Sequence, residues 1–142
     1  MILFLDFDGV LHPFHRPAGA FSLLPYFERV IRDLPQVDIV ISSSWREGHS
    51  LEEMKSFFSP DVAECIIDMT PVLNFLEHQY VREDEIAAWL HRAGRERELW
   101  VAIDDTGSFF SPRCGNLILV DPDAGFNEEA EKELRKRLSA EN

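Results

Sequence analysis

Short unbroken apolar runs alternate with stretches whose apolar residues recur at helical spacing. The first run, Ile2-Leu3-Phe4-Leu5, leads directly into Asp6-Phe7-Asp8-Gly9-Val10. Without polar alternation it predicts a strand buried on both faces, the central strand of a parallel sheet. Further strands are predicted at Val37–Ile41, Glu64–Ile67, Leu99–Ile103 and Leu117–Val120. The charged start and brevity of Glu64–Ile67 suit an edge strand. Between them, Ser22 can cap a helix over Leu23–Leu34, with Pro25 in its first turn and Phe27, Val30 and Ile31 on its apolar face. Ser50 and Glu53 have the spacing of a capping box and open a helix to about Phe58, which Pro60 should stop. A looser segment, Asp68–Val81, precedes a helix over Arg82–His91 that Gly94 closes, and Asn127 can cap a final helix carrying Ala130, Leu134 and Leu138.

Strand-helix repetition of this kind predicts an α/β fold. It is a Rossmann-like, doubly wound, mainly parallel five-stranded sheet with helices on both faces, in one domain over 1–142. In open parallel sheets, ligands bind at the carboxyl ends of the strands. Polar clusters end three of the predicted strands: Asp6/Asp8, Ser42–Ser44 and Asp104/Asp105. Asp121 ends a fourth, but Pro122 beside it favours a plain turn.

Acids drawn together on one rim repel unless a cation or a shared proton offsets them. Oxygen ligands with no His or Cys among them favour a hard ion such as Mg²⁺. An anionic substrate would then need cationic partners, for which Arg82 and Arg46 are the candidates. Each residue also has a plain structural reading. Acidic pairs can form turns or helix caps, Ser42–Ser44 can be a turn or cap cluster, Arg46 can be a surface residue, and Glu83, Asp84 and Glu85 can simply balance Arg82. Yet a cation opposes the dipole at a helix N-terminus, so Arg82 makes sense there if it binds an anion. His12 and His15 lie three apart with Pro13 between them, which disfavours a helical ligand pair and leaves them as loop residues near the pocket mouth.

Composition narrows the partners. The net charge of −12 argues against an extended nucleic-acid surface and is compatible with a bound divalent cation. No apolar stretch is long enough to span a membrane. The first strand has no basic region or cleavage site ahead of it, and Cys65 and Cys114 lack CxxC neighbours, so a cytoplasmic location with reduced thiols is expected.

The Asp6-Phe7-Asp8-Gly9-Val10 segment after a buried strand resembles the first motif of the haloacid dehalogenase-like (HAD) phosphatase superfamily. A strand ending in serine, an arginine ahead of a helix, and a strand ending in Asp104-Asp105 resemble its remaining motifs, in order. The resemblance implies a Mg²⁺-dependent phosphomonoester hydrolase. Asp6 would be the nucleophile that forms an aspartyl-phosphate, and Asp8 the general acid and base. Ser43 and Arg82, with Arg46, would hold the phosphate. Mg²⁺ would bind Asp6, the backbone carbonyl of Asp8, and an acid of the Asp104/Asp105 pair. Asp105 is the favoured ligand, with Asp104 then orienting a metal-bound water or Arg82.

The short segments His12–Phe21 and Asp68–Val81 leave no room for a large cap domain, which implies an open, capless site. Such a site suits a phosphorylated small molecule, a nucleotide or a macromolecular end, with closure by a partner protein as one option. The Ser43–Arg46 run and the Arg82 helix are also similar to HAD domains of RNA-repair proteins. A receiver-like phosphoacceptor and a noncatalytic phosphate- or metal-binding module are the alternatives. Receivers usually pair acids at the first strand and place the acceptor at the third, unlike the acids here at strands one and four.

Overall fold

A computed structural model describes residues 1–139; residues 140–142, the end of the expected domain, lie outside the described part. Five parallel strands form one sheet in the order β3-β2-β1-β4-β5. They are β1 (Ile2–Leu5), β2 (Asp38–Ile41), β3 (Ile66–Met69), β4 (Trp100–Asp104) and β5 (Leu117–Leu119). The chain winds outward from β1 in one direction and then, after β3, crosses back to β4 on the other side. The strand order therefore reverses beside β1, where parallel sheets open a crevice for ligands.

All four residues of β1 are fully buried, as the unbroken apolar run predicts. Their side chains alternate between two cores. Leu3 and Leu5 join the larger one, which receives α1 (Leu24–Arg32), α2 (Leu51–Lys55), α3 (Pro60–Ala63) and α5 (Glu128–Leu138). Ile2 and Phe4 join the smaller one, built with Ile86, Trp89 and Leu90 of α4 (Val81–Ala93). Each fully buried large apolar side chain stabilises the fold by about 1.5–3 kcal/mol. Trp89 and Trp100 meet Phe4 edge to face, both with ring centroids 5.6 Å away.

Helix boundaries depart from the sequence pattern where local chemistry differs. Ser22 does not cap α1. The helix begins after Leu23, with Pro at its start and no side-chain cap. Ser50 and Glu53 do form the capping box, but α2 ends at Lys55. Pro60 does not merely stop a helix: it starts α3, because its fixed φ and missing N–H suit a first helical position. A buried carboxylate supports that turn, since Glu28 of α1 accepts hydrogen bonds from the Ser59 backbone N–H (2.7 Å) and hydroxyl (2.8 Å). At the end of α4, Gly94 takes the left-handed conformation (φ 68°). Asn127 caps α5 by accepting from Ala130 N–H at 2.9 Å.

Level strand ends make the rim. Leu5 is in register with Ile41 on one side and Ile103 on the other. Asp6 N–H donates to the Ile103 carbonyl and Ser42 N–H to the Leu5 carbonyl, at 3.2 and 3.0 Å. Asp6, Ser42 and Asp104 thus emerge side by side. No inserted domain covers this rim among the described residues; loops over residues 12–23 and 70–80 flank it. No helix of the described chain is long and apolar enough to cross a membrane.

Because Glu28 joins α1 to α3, Glu28→Ala should lower stability by about 1–3 kcal/mol in urea unfolding, leaving Ser59 N–H without its acceptor.

Candidate active site

Asp6, Asp104 and Asp105 each direct a carboxylate oxygen to one point, and these oxygens lie within 4.8 Å of one another. Asp6 and Asp104 are 7% and 2% exposed. Burial, then the neighbouring Asp104 and Asp105 charges, hold the Asp6 carboxyl well above the ordinary carboxylate range, against the opposing pull of Arg82 and the Phe7 N–H. Burial likewise pushes Asp104 up to about 6, although the Thr106 N–H and Arg82 oppose it.

The cluster is assembled from local turns. Asp104 Oδ1 accepts from Thr106 N–H at 2.9 Å, and Asp105 Oδ1 from the Thr106 hydroxyl at 3.0 Å. Opposite them the chain turns at Gly9, whose φ is +73°. A Cβ there would stand 2.1 Å from Asp105 Oδ2, so glycine supplies both the left-handed turn and the space for this carboxylate.

These residues fit a divalent cation. Their donors are hard oxygens, and Asp104 Oδ2 is buried without a hydrogen-bond partner. A cation would also relieve the mutual repulsion that raises Asp6. Both members of the Asp104/Asp105 pair reach the cluster.

Asp8 is handled differently. Its carboxylate is caged by His12 Nε2 (2.7 Å), Arg16 (2.8 Å) and Trp45 Nε1 (3.0 Å). Partial burial raises its affinity for a proton, but the hydrogen bonds from His12, Trp45 and Arg16 outweigh that and lower its pKa. The His12 tautomer follows from connectivity. Phe21 N–H donates to Nδ1 at 3.0 Å, so the ring proton sits on Nε2 and is donated to Asp8. Phe21 holds a positive φ of 61°, an uncommon conformation for a bulky residue. Its ring is fixed by edge contacts with Phe7, His12 and Trp45.

A buried line of charge leads from the cluster into the fold. Arg82, near the start of α4, donates to Glu85 Oε1 at 2.6 Å, and its Nε, which has no hydrogen-bond partner, lies 3.7 Å from Asp104 Oδ2. Glu85 also pairs with Arg46 at 2.7 Å and accepts from Leu73 N–H at 2.9 Å. Arg82 therefore faces the carboxylates with an unused donor.

The sequence-derived assignments separate at this point. Asp6, Asp8, Arg82, Asp104 and Asp105 line a single cavity of about 470 Å³. Arg46 does not face it. Its guanidinium donates to the carbonyls of Ser42, Ser43, Thr70 and Pro71 and pairs with Glu85, so every nitrogen is engaged by the protein. Its position corrects the expected phosphate clamp to a structural tie between β2, β3 and α4. Ser43 is fully buried, and its Oγ accepts from Trp45 N–H at 3.2 Å; Ser44 is the serine that lines the cavity.

Several contributors escaped the sequence pattern. His12 was expected only as a loop residue near the pocket mouth, and neither Trp45 nor Arg16 was assigned a role by itself. Glu85, expected as one of three acids that could balance Arg82, does pair with it at a helical i,i+3 spacing.

A parallel sheet whose central strands bring these acids together, without an inserted cap, has the architecture of HAD-like domains. The chain belongs to the family described as the HAD domain in Swiss Army Knife RNA repair proteins, whose model matches residues 2–130. Searches of curated proteins and of solved structures gave no match.

Two measurements follow from this geometry. Arg46→Ala should cost about 3–5 kcal/mol in denaturant unfolding, because it strips partners from four backbone carbonyls and leaves Glu85 with one cation fewer. A pH series in chelator should reveal the strain on Asp104. Its raised pKa means that the folded state holds a proton the unfolded chain has released, so wild-type stability is lost as pH rises from about 4 through 6. Asp104→Asn removes that loss, and its stability relative to wild type should grow by roughly 1–3 kcal/mol between about pH 4 and pH 7.

Proposed function

We propose that this domain is a Mg²⁺-dependent phosphomonoesterase that removes a terminal phosphate from a nucleotide or nucleic-acid end. The observation that carries the reading is the convergence of Asp6, Asp104 and Asp105 within 4.8 Å, with Arg82 beside Asp104 and Asp8 two residues beyond Asp6. Family membership supports phosphoryl chemistry on RNA ends, since the matching model is described by RNA repair.

Asp6, Asp104 and Asp105, with the Asp8 backbone carbonyl, would hold Mg²⁺. When bound, the ion supplies positive charge that neutralises the carboxylates and the phosphoryl oxygens. Asp6 attacks phosphorus through a carboxylate oxygen. The P–O bond to the leaving group breaks, and an aspartyl-phosphate forms. Arg82, which lines the cavity, holds an equatorial phosphoryl oxygen. The phosphoryl dianion entering beside Asp8 raises that carboxylate's affinity for a proton. Asp8 then donates its proton to the leaving oxygen. In the second half-reaction, ionised Asp8 takes a proton from water, which attacks the intermediate and regenerates Asp6. His12, Trp45 and Arg16 keep the Asp8 carboxylate oriented through both halves.

With Mg²⁺, the wild-type chain should release inorganic phosphate from a 3′-phosphorylated oligonucleotide, and chelator should stop it. Asp6→Asn should lower the rate by about a thousandfold or more while remaining folded, because it removes the nucleophile and one buried negative charge. Substantial turnover by that variant would rule out Asp6 as the nucleophile.

A further inference from the structure

The cavity over the carboxylates has a second, chemically opposite wall. Phe14, Val72, Leu73, Phe75, Val81 and Phe109 line it alongside the acids. Phe14, Val72 and Phe75 are 56%, 53% and 68% exposed, and Leu76, beside Phe75, is 80% exposed. Single exposed apolar residues are ordinary, but a cluster at the mouth of one polar cleft marks a binding surface. Phe14 and Phe75 are carried by different loops, one after β1 and one after β3, and meet over the same cavity.

Charge narrows the occupant. Among the described residues that line the cavity, Arg82 is the sole arginine or lysine, and its donors are directed at Glu85 and the Asp104 side of the site. The chain as a whole carries a net charge of −12. The cleft therefore offers one phosphate its partners, while Arg16, at its edge, is already engaged by Asp8, so a second phosphate meets no free cation in the lining. A ligand matched to it has one reacting phosphate and one flat, apolar-faced body close by.

Resting on the phosphomonoesterase reading above, we infer that Phe14 and Phe75 form a stacking platform for the terminal nucleobase, so that recognition ends at the last nucleoside. Every base has a π face, so such a platform tolerates any base. Because phosphates farther along the strand meet no cationic track, length and salt concentration have little influence on binding. A duplex or a long strand would gain nothing over a mononucleotide, in contrast to proteins that track a backbone with lysine and arginine.

The test is steady-state kinetics of the full chain with Mg²⁺ at low and moderate salt. The substrates are a nucleoside 3′-monophosphate, a 3′-phosphorylated decanucleotide, glycerol phosphate and a phosphotyrosine peptide. The two nucleotide substrates should agree in kcat/KM within about threefold, and both should exceed glycerol phosphate by about tenfold or more. Phe14→Ala and Phe75→Ala should each lower kcat/KM on the mononucleotide by roughly 5- to 100-fold, mainly through KM. That loss should exceed the loss on glycerol phosphate by at least about fivefold, whereas Phe75→Tyr should retain most of the wild-type kcat/KM on the mononucleotide.

Equal losses on all substrates or a decanucleotide favoured by orders of magnitude would each overturn the platform while leaving the phosphatase reading intact, whereas preference for the phosphopeptide would overturn both the platform and the nucleotide specificity of that reading. Absence of turnover on every ester would instead overturn the phosphatase reading. Calorimetric titration of the mononucleotide into Asp6→Asn and into Asp6→Asn/Phe75→Ala then decides the platform separately. Binding lost with Phe75 supports it, and equal or absent binding rejects it.

Discussion

Three carboxylates share one end of a buried sheet, and the rest of the site is arranged around the repulsion between them. Asp6 follows the most deeply buried strand, and Asp104 completes its neighbour, so both acids leave water when the sheet forms. Burial alone would neutralise them by protonation. The structure gives them only partial compensation: one N–H to Asp6, one to Asp104, and the Arg82 guanidinium at 3.7 Å. The remaining imbalance is one that a bound cation would relieve.

That constraint reaches far into the fold through Glu85. Arg82 is held beside Asp104 by its bond to Glu85, one turn along α4. Glu85 is in turn paired with Arg46, whose other donors bind the carbonyls that end β2 and those of Thr70 and Pro71 just after β3. The buried ions form a chain of alternating sign that fastens α4 to the sheet. Such pairs are costly to desolvate and costlier still to break singly. Rigidity at Arg82 is therefore obtained in part from Arg46, which acts through Glu85 and does not line the cavity.

Asp8 shows the opposite solution only two residues from Asp6. It is half-buried and surrounded by donors, and its pKa falls where that of Asp6 rises. Two carboxylates on one turn are thereby driven apart in proton affinity, the pattern expected of groups with different duties in one site. The device depends on His12, whose tautomer is set by the Phe21 backbone, and on the aromatic cluster that holds Phe21 in its unusual conformation.

Strand-helix alternation, the parallel sheet and the acids at its rim were legible in the residue order, because apolar runs and helical spacing report burial directly. The capping box at Ser50 and the left-handed stop at Gly94 were legible for the same reason: their chemistry is local. Partner choice across the fold was not. Arg46 and Arg82 look alike in sequence, yet one is spent on backbone carbonyls and the other faces the carboxylates. Ser43 and Ser44 are adjacent, yet one caps a turn and the other lines the cavity. His12, Trp45 and Arg16 meet at Asp8 only because β1, its following loop and the end of β2 are brought together. These roles come from the three-dimensional packing, because a hydrogen bond forms only when donor and acceptor are positioned to within a few tenths of an ångström, and residue identity carries no record of that placement.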